Sequence, residues 1–191
     1  EFYDVALRYA GEFGGFRLAV GIGYQHSEEQ TTSRGKGFAG GCNANAAGRV
    51  DCDGLGVSGG IQHVASGLYI HGAYGYTEDN QALAANLDRD EGYYISGGIN
   101  RKFFALGNTN LYAEYGHATR QIGTTAATVI DANGVAFGGE VGMQWYGVGA
   151  VQTIDAAAMD LYVYYRHFEG DERASHVNDL DFVVVGSIIR F

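Results

Sequence analysis

Apolar and polar side chains exchange places at every second position in nine separate stretches of the chain. In the last, Asp181 to Phe191, the residues Phe191, Ile189, Val185 and Val183 share one parity and only Ser187 interrupts them. A strand points successive side chains to opposite faces, so a period of two predicts strands with one apolar and one polar face. The other apolar parities are Tyr3, Val5, Leu7 and Tyr9; Phe16, Leu18, Val20, Ile22 and Tyr24; Leu55, Val57, Gly59 and Ile61; and Leu68, Ile70, Gly72, Tyr74 and Tyr76. They continue with Tyr93, Ile95, Gly97, Ile99 and, past them, Phe103; Leu111, Ala113 and Tyr115; Val141, Met143, Trp145 and Val151; and Met159, Leu161, Val163 and Tyr165. Helix fits poorly. Ala82 to Leu87 is the only stretch suited to a turn or two, and it lies between strands.

Each stretch runs about ten residues, which at ~3.3 Å per residue and a tilt of ~40° spans the hydrocarbon of a bilayer. Aromatics sit at several of the ends (Tyr24, Tyr76, Tyr93, Phe103, Phe191), where interfacial girdles of membrane barrels lie. Connections alternate in length. Gly11 to Gly15, Ala65 to Gly67, Ala105 to Thr109 and Thr153 to Ala157 are short, whereas Ser27 to Asp53, Thr77 to Gly92, Ala118 to Gly138 and Glu169 to Asp179 are long. Short periplasmic turns and long external loops mark outer-membrane barrels. The predicted fold class is all-β, an antiparallel transmembrane β-barrel forming a single domain over residues 1–191. Nine strands are an odd number, and single-chain bacterial barrels have even numbers. At least one further strand is therefore expected before Glu1, since an open edge in lipid leaves backbone groups unpaired.

Composition sharpens this picture. The chain has 31 Gly, 14 Tyr and no Pro, which suits a polypeptide that is mostly paired strand. Mean hydropathy is near neutral at −0.12, as expected when only alternate residues meet lipid. The formal charge is −10, with acidic clusters between the strands and no basic run, so nucleic acid is not an expected partner. Outer-membrane lipids and lipopolysaccharide are. Cys42 and Cys52 bracket a short polar segment and fit a small disulfide in an oxidising compartment better than a zinc site, because no CxxC or histidine pair completes one.

The opposite parity supplies the candidate water-facing wall. It includes Arg8, Arg17, Gln62, His71, Tyr94, Lys102, Glu114, Glu140, Gln144, Asp160, Tyr162 and Arg166, with Asp4, Gln25, Ser58, Tyr69, Asn100, Tyr112 and Tyr164 beside them. Mixed polar and charged residues of this kind line water-filled lumens. Four carboxylates meet four basic groups, so the wall implies weak selectivity, with a mild cation preference from the acidic loops. Gly56-Val57-Ser58-Gly59-Gly60 matches a nucleophile elbow, and Gly54 to Gly59 matches a dinucleotide loop. Both lie inside an alternating strand with no following helix, so neither chemistry is expected. No cofactor and no catalysis is expected. The alternatives are an outer-membrane barrel enzyme of lipase or protease type, using Ser58, Glu114 or Asp160, and a plugged structural or adhesion barrel.

The segments DVALRYAGEFGGFRLAVGIGYQH, SGLYIHGAYGYTED, FFALGNTNLYAEYGH and GVGAVQTIDAAAMDLYVYYRHFEG, with a terminal IIRF, resemble the general porins of alphaproteobacteria. Leu106-Gly107-Asn108-Thr109 and the stretch Val151 to Tyr165 are the most specific pieces. The resemblance implies sixteen-stranded, trimeric outer-membrane barrels that pass small hydrophilic solutes by passive diffusion. These strands would then be the last nine of sixteen, and the loop that sets the constriction in that family would precede Glu1.

Overall fold

The computed structural model describes residues 1–30, 49–80, 89–122, 129–130, 136–137, 139–170 and 179–190. Cys42, residues 82–87, His176 and Phe191 lie outside these. Eleven strands are formed: β1 (Phe2–Phe13), β2 (Phe16–Gln30), β3 (Arg49–His63), β4 (Leu68–Asp79), β5 (Arg89–Phe104), β6 (Gly107–Ile122), β7 (Val129–Ile130), β8 (Ala136–Phe137), β9 (Gly139–Ile154), β10 (Met159–Gly170) and β11 (Leu180–Ile189). Nine of them make one antiparallel sheet in the order β1-β2-β3-β4-β5-β6-β9-β10-β11, and β7 and β8 pair separately. Sequential neighbours joined throughout form an up-and-down meander, the simplest connection for antiparallel strands.

The sheet has almost no apolar core. Among the described residues the only buried apolar one is Cys52, while Val5, Leu7 and Val185 are 65%, 72% and 74% exposed. A water-soluble β-sandwich covers one face of each sheet with another layer. Here a single layer presents a long apolar row on one face, which is stable only against an apolar medium or partner.

Residues directly opposite each other in an antiparallel pair share a face. The pairing therefore carries one parity across the whole sheet. From Leu7 the row runs through Ile22, Val57, Tyr74 and Tyr93 to His117. From Ala113 it continues through Val148, Tyr165 and Val183. Eight of the nine predicted parities agree with this register. The exception is β9. Tyr115 lies opposite Tyr146 and Tyr146 opposite His167, so Tyr146, Val148 and Ala150 share the apolar-row face. Met143, Trp145 and Val151 point to the polar-row face, contrary to the sequence expectation.

All short connections lie at one end of the sheet. Gly14 and Gly15 have φ of 56° and 80°, which closes β1 on β2 in two residues. Positive φ at both central positions matches the twist of the flanking strands. The β3–β4 turn depends on Gly67, at φ 75°. A Cβ there would stand 2.3 Å from the Asn100 carbonyl oxygen, which lies on the next hairpin. The Gly67 carbonyl accepts the Asn100 N–H at 2.9 Å, so this turn also anchors β5. Gly67→Ala is expected to cost more than about 2 kcal/mol, from left-handed strain plus the clash. Urea titration of the folded protein in detergent checks this; an unchanged midpoint contradicts it.

The strands extend further at the other end than alternation predicted. β2 and β3 stay paired up to Gln30 opposite Arg49, inside the stretch expected to be loop. β10 and β9 are likewise paired up to Gly170 opposite Met143.

Candidate functional site: the polar-row face

Three open hollows of about 710, 730 and 570 Å³ lie along the polar-row face, so the sheet curves around it. On β1 to β4 this wall is low. Ala6, Gly23, Gly56 and Gly75 follow one another across four strands, and Arg8, Gly21, Ser58 and Ala73 form the adjacent row. Small side chains there leave the hollow wide. Ser58, the centre of the nucleophile-like match, sits mid-strand in β3 between Gly21 and Ala73.

On β4 to β11 the wall is thicker and interlocked. Glu114 of β6 is buried and receives three bonds. The Arg166 guanidinium of β10 donates to its Oε1 from Nε and Nη2, both at 2.6 Å, and the Tyr94 hydroxyl donates to its Oε2 at 3.0 Å. Arg166 reaches across β9 because Gly147 lies between them, where a Cβ would sit 3.1 Å from Glu114 Oε1. His71 packs between Tyr69 and Tyr94, at 5.9 and 5.6 Å between ring centroids, and the Tyr69 hydroxyl donates to Asn110 Oδ1 at 2.9 Å.

Near the short turns, Asp160 accepts from Thr153 Oγ1 at 2.8 Å and pairs with Arg190. Arg17 meets Glu12 at 2.8 Å, and Lys102 meets Asp155 at 3.4 Å. Charges on this wall are thus mostly matched in pairs. Such pairing sets polarity without a strong net field.

The sequence-predicted wall residues whose side chains are described fall on this face with one exception. Arg8, Arg17, Gln62, His71, Tyr94, Glu114, Asp160, Tyr162 and Arg166 share it through the register, and Lys102 follows the same alternation until the irregularity between Arg101 and Phe104. Gln144 does not. It lies opposite His117 and Glu169 on the apolar-row face, accepting from the Tyr115 hydroxyl at 3.2 Å and donating to Glu169 at 2.6 Å. The side chain of Glu140 lies outside those described. The correction at Gln144 follows from the one-residue difference between the expected and the observed frame of β9. The partner choices of Glu114 and Asp160 were not visible in the sequence, because the bonded residues lie 52 and 30 positions away.

The apolar row ends on β10 and β11 at Tyr165 and Val183, and beyond it that face becomes polar. His167 Nδ1–H donates to Asp181 at 2.7 Å, and the ring approaches Glu169 at 3.3 Å. The bond to Asp181 holds the imidazole above the ordinary histidine range, helped by the nearby carboxylates. Asp181 is held below the usual carboxylate range, first by the Tyr165 hydroxyl and then by His167. A raised histidine contributes stability fully present below about pH 6.5 and lost as pH rises through its folded value. A depressed aspartate contributes above about pH 3.9 and fails as pH falls through its folded value. Both contributions are present together between these limits. NMR titration of His167 is expected to give a midpoint above about 6.5, and Asp181→Asn to lower it; an unshifted midpoint in both proteins contradicts the pairing.

No protein-family model matches the chain, and no curated protein does either. Among solved structures, a BenF-like porin from Pseudomonas fluorescens Pf-5 superimposes over 99% of this chain with a TM-score of 0.62. The fold is a porin fold. Sequence identity is 10%, so the likeness resides in the strand path and not in shared side chains. The chain spans 47% of that porin's length. Within the described residues of this porin-type sheet, β1 pairs only with β2 and β11 only with β10.

Proposed function

We propose that this chain is part of the wall of an outer-membrane porin of a Gram-negative bacterium, a non-enzymatic channel for passive diffusion of small hydrophilic solutes and ions. The observation that carries this reading is the two-sided sheet. One face bears an apolar band that steps from the level of Tyr93 to that of Ala113, with no second layer among the described residues, and the other bears polar residues around open hollows. The porin fold of the superimposed structure supports the same assignment. The apolar-row face is the lipid side and the polar-row face is the lumen. No bond making is required; wall residues act through width and field.

Mild cation preference is part of the proposal. Among the described residues that line it, the hollow nearest the long connections has Asp4 and no lysine or arginine. The polar residues above the tyrosine girdle would face lipopolysaccharide, and homo-trimers like those of the alphaproteobacterial general porins are the proposed assembly. Cys42 and Cys52 are the proposed disulfide, holding the long β2–β3 connection near the buried Cys52. Reconstitution of the membrane-extracted protein in planar bilayers tests the reading. Stepwise conductance with a reversal potential on the cation side is expected, and a silent bilayer contradicts it.

A further inference from the structure

The lumen-side face changes character over β9, β10 and β11. Trp145 lies flat across β6, over Gly116, where a Cβ would stand 2.0 Å from its Cζ2. Its ring stacks on Phe168 at 6.0 Å and 29° between planes, and Phe168 stacks on Phe182 at 5.5 Å and 22°. Three near-parallel rings thus form a shelf across three adjacent strands, with the Tyr164 ring edge-on to Phe182 at 6.1 Å. None of the three is buried. Among the described residues the shelf also carries no net charge at its edge. Arg166 lies 5.8 Å from the Phe168 ring, and Glu114 neutralises it at 2.6 Å.

A water-filled wall has no packing requirement for three stacked aromatics, since nothing among the described residues covers them. Flat rings with one face on the backbone and no unmatched charge nearby favour offset stacking with another neutral ring. We propose that Trp145, Phe168 and Phe182 form a stacking station that retains neutral solutes bearing an aromatic ring during their passage. This rests on the porin reading and names a solute class for it. A sugar lacking such a ring gains little, because Glu114, Arg166 and Tyr94 beside the shelf already bond one another.

Phenyl β-glucoside and methyl β-glucoside differ only in the ring, so they form the test pair. Trp145 is the single tryptophan of these 191 residues, and subtraction of the Trp145→Phe signal isolates it. In the detergent-solubilised protein, phenyl glucoside is expected to change Trp145 fluorescence at concentrations at least about fivefold below those methyl glucoside needs. Phe168→Leu keeps an apolar side chain and is expected to erase that difference. Gly116→Leu, which displaces Trp145 from its seat, is expected to do the same. In planar bilayers, phenyl glucoside is expected to interrupt the current and methyl glucoside to leave it steady. A protein that conducts in salt but treats the two glucosides alike, in fluorescence and in current, overturns the station while leaving the porin reading standing. A protein silent in salt that still prefers phenyl glucoside overturns the porin reading and keeps the shelf as a binding site.

Discussion

Arginine at Val163 is expected to destabilise the membrane-inserted protein by about 2–4 kcal/mol, whereas arginine at Ala73 costs less than about 1 kcal/mol. Val163 lies opposite Ala150 and Val185 within the apolar row and is 44% exposed on that face. A cation there must be desolvated in hydrocarbon, where no partner is at hand. Ala73 lies between Ser58 and Tyr94 on the other face, beside an open hollow in which a guanidinium keeps its water. Both positions are mid-strand, so strand propensity does not separate them. Urea-dependent folding into lipid vesicles measures both costs. Equal costs, or the larger cost at Ala73, would contradict the assignment of faces.

The second large effect is expected at Glu114. Its side chain is 5% exposed and holds Arg166 and Tyr94 from two different strands. Glu114→Ala leaves the guanidinium without its partner over the Phe168 and Tyr164 rings and leaves the Tyr94 hydroxyl unbonded. Breaking a buried ion pair from one side costs up to about 3–5 kcal/mol, and because Arg166 is itself 29% exposed we expect about 2–3 kcal/mol here. The freed Arg166 also moves the ion selectivity toward anions. Glu114→Gln keeps an amide oxygen to accept from Arg166 and turns the Tyr94 bond round, the amide N–H donating to the hydroxyl, and is expected to cost less than half as much while shifting selectivity in the same direction. Thermal unfolding in detergent and bilayer reversal potentials check the two parts. Equal stability losses in both variants would show that the charge, and not the hydrogen bonds, carries the interaction, and would contradict this expectation.

The fold was legible wherever alternate residues differ sharply in polarity. Leu68, Ile70, Tyr74 and Tyr76 against Tyr69, His71, Ala73 and Gly75 leave little ambiguity about the parity of β4. In β9 the contrast fails. Met143, Trp145 and Val151 on one parity are as apolar as Tyr146, Val148 and Ala150 on the other, and the largest side chain, Trp145, points to the polar-row face. Only pairing with β6 and β10 decides the frame, and pairing is not a local property of the sequence. The same difference of frame misplaced Gln144.

The outer ends of the strands were missed for a different reason. His26, Glu28, Asp51 and Asp53 continue the apolar-row parity beyond the apolar band, where both faces are polar and alternation has no amplitude. There the ladder is supported by side-chain bonds. Asp53 accepts from the Tyr24 hydroxyl at 2.5 Å and from Asn80 at 2.6 Å, contacts that link β2, β3 and the end of β4. The wall cluster at Glu114 was legible as polarity but not as a partnership. The aromatic shelf was hidden because one of its members was read as facing lipid and another, Phe182, lies in a strand that is apolar on both faces.

The most direct test of the two-sided wall is a nitroxide scan along Gly147 to Ile154 and Met159 to Tyr165, one labelled cysteine at a time in a background lacking Cys42 and Cys52. Collision with oxygen dissolved in lipid is expected to peak at Val148, Ala150, Leu161, Val163 and Tyr165. Collision with a water-soluble nickel chelate is expected to peak at Gly149, Val151, Asp160, Tyr162 and Tyr164. Accessibility without a two-residue period, or with the two quenchers exchanged, would contradict the account.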